Sequence, residues 1–161
     1  MGRQYLNDRW CARCDHKKAT PYLRQYARLF PEVPGKVLDI GCGNGRNSRF
    51  MMEQGYKVDG IDMAPKDFGV KIVLGEDDLP KKKYDIILAN YILMFLNKKE
   101  LRKVNSEILR CSKKGTTMMI EMYPAKDAYE YDLDSIVSYY TSKGWIKIRK
   151  SKDKCVLRRE K

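Results

Sequence analysis

Residues 36–54 constrain the fold more than any other stretch of this chain. Lys36 to Ile40 (Lys-Val-Leu-Asp-Ile) is a short apolar run bounded by Gly35 and Gly41, which predicts a buried strand. It passes directly into Gly41-Cys42-Gly43-Asn44-Gly45. Asn44 to about Gln54 then predicts a helix, closed by Gly55 as a C-terminal glycine. Strand, glycine turn and helix in immediate succession point to an α/β layer fold, in which helices cover the faces of a parallel sheet.

The rest of the chain repeats the alternation. Thr20-Pro21 reads as an N-cap followed by Pro at the first helical position, opening a helix to about Phe30. Further strands are expected at Tyr56–Ile61, Val70–Leu74, Tyr84–Ala89 and Thr116–Met122. Residues 98–111 carry Leu101, Val104, Ile108 and Leu109 at helical spacing, with Lys113-Lys114-Gly115 expected to end that helix. Asp132 and Asp134 open a helix that Gly144 closes. Trp145–Arg149 and Cys155–Arg159 flank the polar turn Ser151–Lys154, a pattern that predicts an antiparallel hairpin. The expectation is a doubly wound, mostly parallel sheet of seven strands with a C-terminal antiparallel hairpin. Only Met63–Gly69 separate the second and third strands, although a parallel crossover usually takes a dozen or more residues and a helix; that helix should be missing or reduced to a turn.

Composition narrows the class. A chain of 161 residues, 43% hydrophobic, suits one globular domain with a sizeable core, here read as residues 1–161. The longest apolar run, Tyr91–Leu96, falls far short of the ~20 residues of a membrane helix. The first residues have no apolar signal core, and five cysteines argue against a disulfide framework; a cytoplasmic protein is expected. The net charge of +12 is uneven: +5 over residues 1–36, −3 over 37–80 and +10 over 81–161.

In open parallel sheets ligands bind beyond the carboxyl ends of the strands, where the strand order reverses. The acidic middle of the chain falls there. The loop reads G-x-G-x-G, whereas a dinucleotide fingerprint would put glycine at Arg46. Asp39, two residues before the first glycine, suits a cationic or amino-bearing ligand better than a pyrophosphate. Asp62 ends the second strand 21 residues after Gly41, where a carboxylate can accept from ribose hydroxyls. Glu76 and Asp77 follow the third strand. A ligand with a ribose and a positive centre is implied.

These residues resemble the class I S-adenosylmethionine-dependent methyltransferases over roughly residues 36–122. Val37–Gly45 is similar to the first motif of that family, and Asp62, followed by Met63, to its ribose-binding acidic position. The resemblance implies a Rossmann-like methyltransferase that binds S-adenosylmethionine through Asp39, Gly41, Cys42, Gly43, Asn44, Gly45, Asp62, Met63, Glu76, Asp77, Asn90 and Tyr91. In it Glu76 and Asp77 would read the adenine, and Asn90-Tyr91 would face the methionine part and the acceptor. Gly41–Ser48 together with Leu93–Leu96 is most similar to the tellurite-resistance (TehB-type) branch. Leu93–Leu96 also reads simply as core.

A small-molecule acceptor is expected, because there is no accessory domain. RNA is the alternative, through the basic surface; a cofactor-binding regulatory module without turnover is another. Lys81–Lys83, Arg110, Lys113 and Lys114 precede strands and should lie opposite the cofactor. Arg3, Arg9, Arg13, Lys17, Lys18, Lys98, Lys99, Lys152 and Lys154 are better placed near the site. His16, Tyr91, Glu121 and Asp15 are polar candidates near the mouth, but none is assigned a catalytic role. Cys11, Cys14 and His16 have zinc-ligand chemistry but lack a fourth partner, so no metal is assigned. Residues 1–20 are the candidate lid.

Overall fold

The computed structural model describes residues 17–123, 128 and 132–161. The first helix among the described residues, α1 (Pro21–Tyr26), is capped by Thr20, whose side chain accepts from Leu23 N–H, and runs on as a 3₁₀ turn over Ala27–Leu29. Strand β1 (Lys36–Ile40) leads through the glycine loop into α2 (Arg46–Glu53), and then come β2 (Lys57–Asp62), β3 (Val70–Lys71) and β4 (Tyr84–Asn90). Helix α3 (Lys98–Cys111), β5 (Ser112–Glu121), α4 (Leu133–Thr141), β6 (Trp145–Lys150) and β7 (Lys154–Arg159) follow.

The seven strands form one sheet in the order β3-β2-β1-β4-β5-β7-β6. Pairs from β3 through β5 are parallel; β7 lies antiparallel to both β5 and β6. The chain moves outward from β1 to β3, then returns to place β4 against the other side of β1. Connections on either side of that reversal leave in opposite directions, and their separation opens a crevice beyond Ile40 and Asn90.

Side-chain alternation along the strands divides the core into two layers. Val37, Ile86, Leu88, Met119 and Val156 face Tyr22 and Leu23 of α1 and Met51 of α2. Leu38, Ile87, Met118, Ile120 and Leu157 face Leu101, Val104 and Ile108 of α3 and Ile136, Val137 and Tyr140 of α4. Burial of both faces explains why β4 and β5 read as nearly continuous apolar runs.

Two boundaries differ from expectation. Strand β3 holds only Val70 and Lys71. The chain beyond them turns away, and Leu74 makes a lone bridge to Asp77, with Asp77 Oδ2 accepting from Val73 N–H at 2.7 Å. Lys113, Lys114 and Gly115 do not end α3. Ser112 stops it by adopting an extended conformation while its Oγ donates to Leu109 C=O, and β5 starts at once. The three residues form an irregularity inside that strand: Tyr84 pairs with Ser112 but Ile86 with Thr117, and Gly115 has φ +88°, the geometry of a bulge.

Between β2 and β3 there is no helix. The Phe68 side chain lies against Gly60 instead; a Cβ there would come within 2.4 Å of its ring. Only glycine leaves the strand bare enough to receive that ring.

Candidate functional site

The loop after β1 is fastened to the end of β2. Gly41 and Cys42 donate to Ile61 C=O at 2.8 and 3.0 Å. Asp62 Oδ2 accepts from Gly43 N–H at 2.9 Å and Oδ1 from Ala64 N–H at 3.0 Å, so one carboxylate organises both loops. Gly41 has φ +71°, and a Cβ there would meet Ile92 at 2.8 Å; the loop can pass beneath the β4 connection only without a side chain.

Behind the loop sits Asp39, 2% exposed. Its Oδ2 accepts from Ser48 Oγ at 2.6 Å. Burial raises its pKa from the usual 3.8 to about 6, the Ser48 hydrogen bond offsetting part of the effect and the neighbouring Asp62 adding to it. Such a group favours a partner that brings positive charge. Burial likewise pushes the Cys42 thiol up to about 12, with Asp39 and Asp62 adding to the effect, so Cys42 stays a neutral packing residue.

Opposite them, β4 ends in Asn90 and the chain turns through Tyr91, whose φ is +58°. A side chain in that region of backbone space is strained and persists only where its surroundings hold it. Here Tyr91 N–H donates to Glu121 C=O at 2.7 Å and the Tyr91 hydroxyl donates to Glu121 Oε2 at 2.6 Å. Burial first, then this hydrogen bond, keeps the phenol protonated well above its ordinary range. Glu121 Oε1 accepts from Asn90 Nδ2 at 2.7 Å and from Thr20 Oγ. Thr20 N–H donates to Asn47 Oδ1 at 3.0 Å. The carboxylate of Glu121, fully buried, thus joins α1, β4 and β5, while Asn90 Oδ1 is buried with no hydrogen-bond partner among the described residues.

A cavity of about 230 Å³ opens between these groups. Of the residues expected to bind a ligand, it brings together Asp39, Gly41, Cys42, Gly43, Asn44, Asp62, Met63, Asn90 and Tyr91. Gly45 lies behind it as the N-cap of α2. Glu76 and Asp77 are exposed and outside its lining. Asp77 closes the turn after β3, and Glu76 C=O accepts from Lys103 Nζ at 2.7 Å. The acidic lining residue on that side is Glu100, which sequence reasoning missed. It belongs to a capping box with Asn97, its Oε2 accepting from Asn97 N–H at 2.8 Å, and the Asn-x-x-Glu spacing was the available signal. Val73, Leu74, Ile92, Phe95 and Leu96 supply an apolar wall, so part of Leu93–Leu96 serves the cavity as well as the core.

Among the described residues no three His, Cys, Asp or Glu side chains are grouped to hold a metal ion, and no helix is long and apolar enough to cross a membrane. Cys11, Cys14, Asp15, His16 and most of the candidate lid lie outside the described residues.

A family model described as a methyltransferase domain matches residues 14–151. The probable S-adenosyl-L-methionine-dependent methyltransferase TehB of Haemophilus influenzae is 28% identical over 85 residues, covering 44% of this chain and 30% of that protein; the match therefore spans less than a third of the relative. Its crystal structure aligns with a TM-score of 0.74 at 18% identity, covering 96% of this chain and 67% of that one. A TehB-like SAM-dependent methyltransferase from Corynebacterium glutamicum aligns at 0.71, with 18% identity and 98% and 97% coverage. The 1,6-didemethyltoxoflavin-N1-methyltransferase of Burkholderia thailandensis, crystallised with 1,6-didemethyltoxoflavin and S-adenosylhomocysteine, aligns at 0.73 with 14% identity, covering 98% and 84%. The chain belongs to the methyltransferase-domain family and has the Rossmann-like, seven-stranded fold of S-adenosylmethionine-dependent methyltransferases.

Proposed function

We propose that this chain binds S-adenosylmethionine in the cavity and directs its methyl group to a small-molecule acceptor, working in the cytoplasm as a single domain with residues 1–20 as its lid. The observation that carries the reading is the pairing of two carboxylates, Asp39 and Asp62, with a glycine loop at the sheet reversal. Asp39 supplies negative charge for the ammonium. Asp62, steadied by Gly43 and Ala64, keeps lone pairs for a ribose diol. Val73, Leu74 and Phe95 offer an apolar slot for the adenine, beside the Glu76 and Asp77 turn. The buried, unpartnered Asn90 oxygen calls for a donor from the contents of the cavity, so the residues present fit this group.

When bound, S-adenosylmethionine supplies a methyl group already activated on a sulfonium. The protein's task is then to align and to keep water out, and near-attack positioning alone can account for several kcal/mol of barrier, roughly 7–11 in favourable intramolecular cases. Glu121 holds Asn90 and Tyr91 at the acceptor end, and the apolar wall excludes solvent.

A small acceptor is favoured because the site is a cavity and because a structural neighbour was crystallised with such a molecule. RNA is the second reading. Against it, Lys82 and Lys113 are paired with Asp59 and Asp85 toward the opposite ends of the strands. Calorimetry with S-adenosylmethionine and S-adenosylhomocysteine is expected to show micromolar or tighter binding; absence of both removes the proposal. Association with RNA that weakens steeply with salt would bring the second reading forward.

A further inference from the structure

The contacts proposed for Asp39 and Asp62 set a direction along the cavity: ammonium at the first, ribose at the second, and so the base beyond Asp62. The chain leaves β3 there. Ile72 N–H donates to Asp62 C=O at 2.9 Å, and Val73 and Leu74 follow as part of the apolar lining. Apolar walls hold a flat ring; choosing one purine over another takes a polar group placed at its edge. Adenine carries an amino group at that edge, a donor that calls for an acceptor.

The carboxylates of the turn after β3 stand away from it. Glu76 and Asp77 are exposed and outside the lining, and Asp77 folds back to accept from Val73 N–H. Helix α3 reaches in instead. Gly75 has φ +84°, and a Cβ there would lie 2.5 Å from Glu100 Cγ and 2.6 Å from Glu100 Cβ; only bare backbone lets the Glu100 side chain lie against the turn. Lys103 ties the same helix to the same turn, donating to Glu76 C=O at 2.7 Å and pairing with Asp78 at 3.1 Å. Asn97 N–H holds Glu100 Oε2 at 2.8 Å. One such bond does not exhaust a carboxylate, whose two oxygens offer about four acceptor sites.

Three acidic side chains line the cavity: Asp39, Asp62 and Glu100. The first two are engaged by ammonium and ribose, and the third is the one against the turn that the base would adjoin. We propose that Glu100 accepts a hydrogen bond from the exocyclic amino group of the adenine, and that it makes the site select adenine over purines lacking that group. This rests on the S-adenosylmethionine reading above and adds to it the residue that reads the base. Glu100 lies in the first turn of α3, where the helix favours negative charge, so it is suited to present a carboxylate, a stronger acceptor than a neutral amide. A site built around such an acceptor rejects a ligand without the matching N–H.

The experiment is a double-mutant cycle between protein and ligand, read by calorimetry on the full chain. The two ligands are S-adenosylhomocysteine and its analogue with hydrogen in place of the 6-amino group. The unmodified chain should prefer the first by about 10–100-fold, the worth of a hydrogen bond to a charged group. In Glu100→Ala the two should bind within about threefold of each other. Glu100→Gln, which keeps the capping box, should reduce the preference at least about threefold, because a neutral acceptor replaces a charged one. Glu76→Ala should leave the preference within about twofold. No preference in the unmodified chain, a full preference surviving in either Glu100 variant, or its loss in Glu76→Ala overturns the inference. Failure of the unmodified chain to bind S-adenosylhomocysteine and S-adenosylmethionine at all overturns the underlying reading instead.

Discussion

Toward the amino ends of the strands, Asp59 and Asp85 are partly exposed and each meets a lysine: Lys82 at 3.0 Å and Lys113 at 2.7 Å. Burial works to raise both groups, but it is outweighed by the Tyr84 hydroxyl and Lys82 at Asp59, and by Lys113 and the Lys36 N–H at Asp85, so both carboxyls sit below the usual range. At the carboxyl ends, Asp39 and Glu121 are excluded from water, and no lysine or arginine among the described residues is within ion-pair distance of either. One end settles its charges with solvent and lysine; at the other, the hydrogen bonds to Asp39 and Glu121 come from uncharged donors. Burying a carboxylate without an ion-pair partner is costly; at Asp39, where Arg46 offsets only part of the effect through space, that cost falls at the end where the cavity opens.

The contrast can be broken by removing one carboxylate at a time. Glu121→Ala should have the largest effect, because it strands donors on Thr20, Asn90 and Tyr91 together. At about 1–3 kcal/mol for each unsatisfied buried group, urea unfolding should show a loss of about 3 kcal/mol or more; a loss below 1 kcal/mol would reduce this node to ordinary packing.

Asp39→Asn should do the opposite. Folding raises the Asp39 pKa from 3.8 to about 6, so the folded state holds the proton more tightly. Its stabilising contribution is full below pH 3.8 and is lost as pH rises to about 6. Above that, the ionised group opposes folding by at most about 3 kcal/mol. The variant is therefore expected to be more stable than the parent at pH 7, with the advantage fading toward pH 4, and to bind S-adenosylmethionine more weakly. A parallel pair of stability curves across that range would show that Asp39 does not carry the buried charge.

Asp62→Ala removes an acceptor that faces both a ribose and the Gly43 and Ala64 amides. Calorimetry should show S-adenosylmethionine affinity falling by about 1.5–3 kcal/mol, the worth of hydrogen bonds to a charged group. An unchanged affinity would put the ribose elsewhere. The smallest effect belongs to the other end of the sheet: Lys113→Ala breaks an exposed pair and should cost less than about 1 kcal/mol. A larger loss in denaturant would erase the distinction between the two ends.

Much of this arrangement was readable from the chain. The run Lys36–Ile40, the loop Gly41–Gly45 and Asp62 announced a strand, a turn and a carboxylate at the sheet reversal, because each depends on residues close together in sequence. The short Met63–Gly69 link announced the absent helix, though not that Phe68 would lie against Gly60. The Glu121 node was less visible. Glu121 could be named as a polar group near the mouth, but its partners Thr20 and Asn90 lie 101 and 31 residues away, and no local pattern links them. Glu76 and Asp77 show the converse: their place after a strand suggested a binding role, whereas the early end of β3 turned Asp77 back onto Val73.

The two outermost strands bear on how copies of the molecule meet. Sheets recruit foreign strands at their margins, where backbone groups stand unpaired. On one margin β3 offers only Val70 and Lys71, too brief a rail for another chain to zip onto. On the other, β6 is six residues long but exposes Lys147 and Arg149, and a second copy approaching in register would bring the same cations against them. Both margins of the seven-stranded sheet are thus poor templates for a further strand, one by brevity and the other by charge.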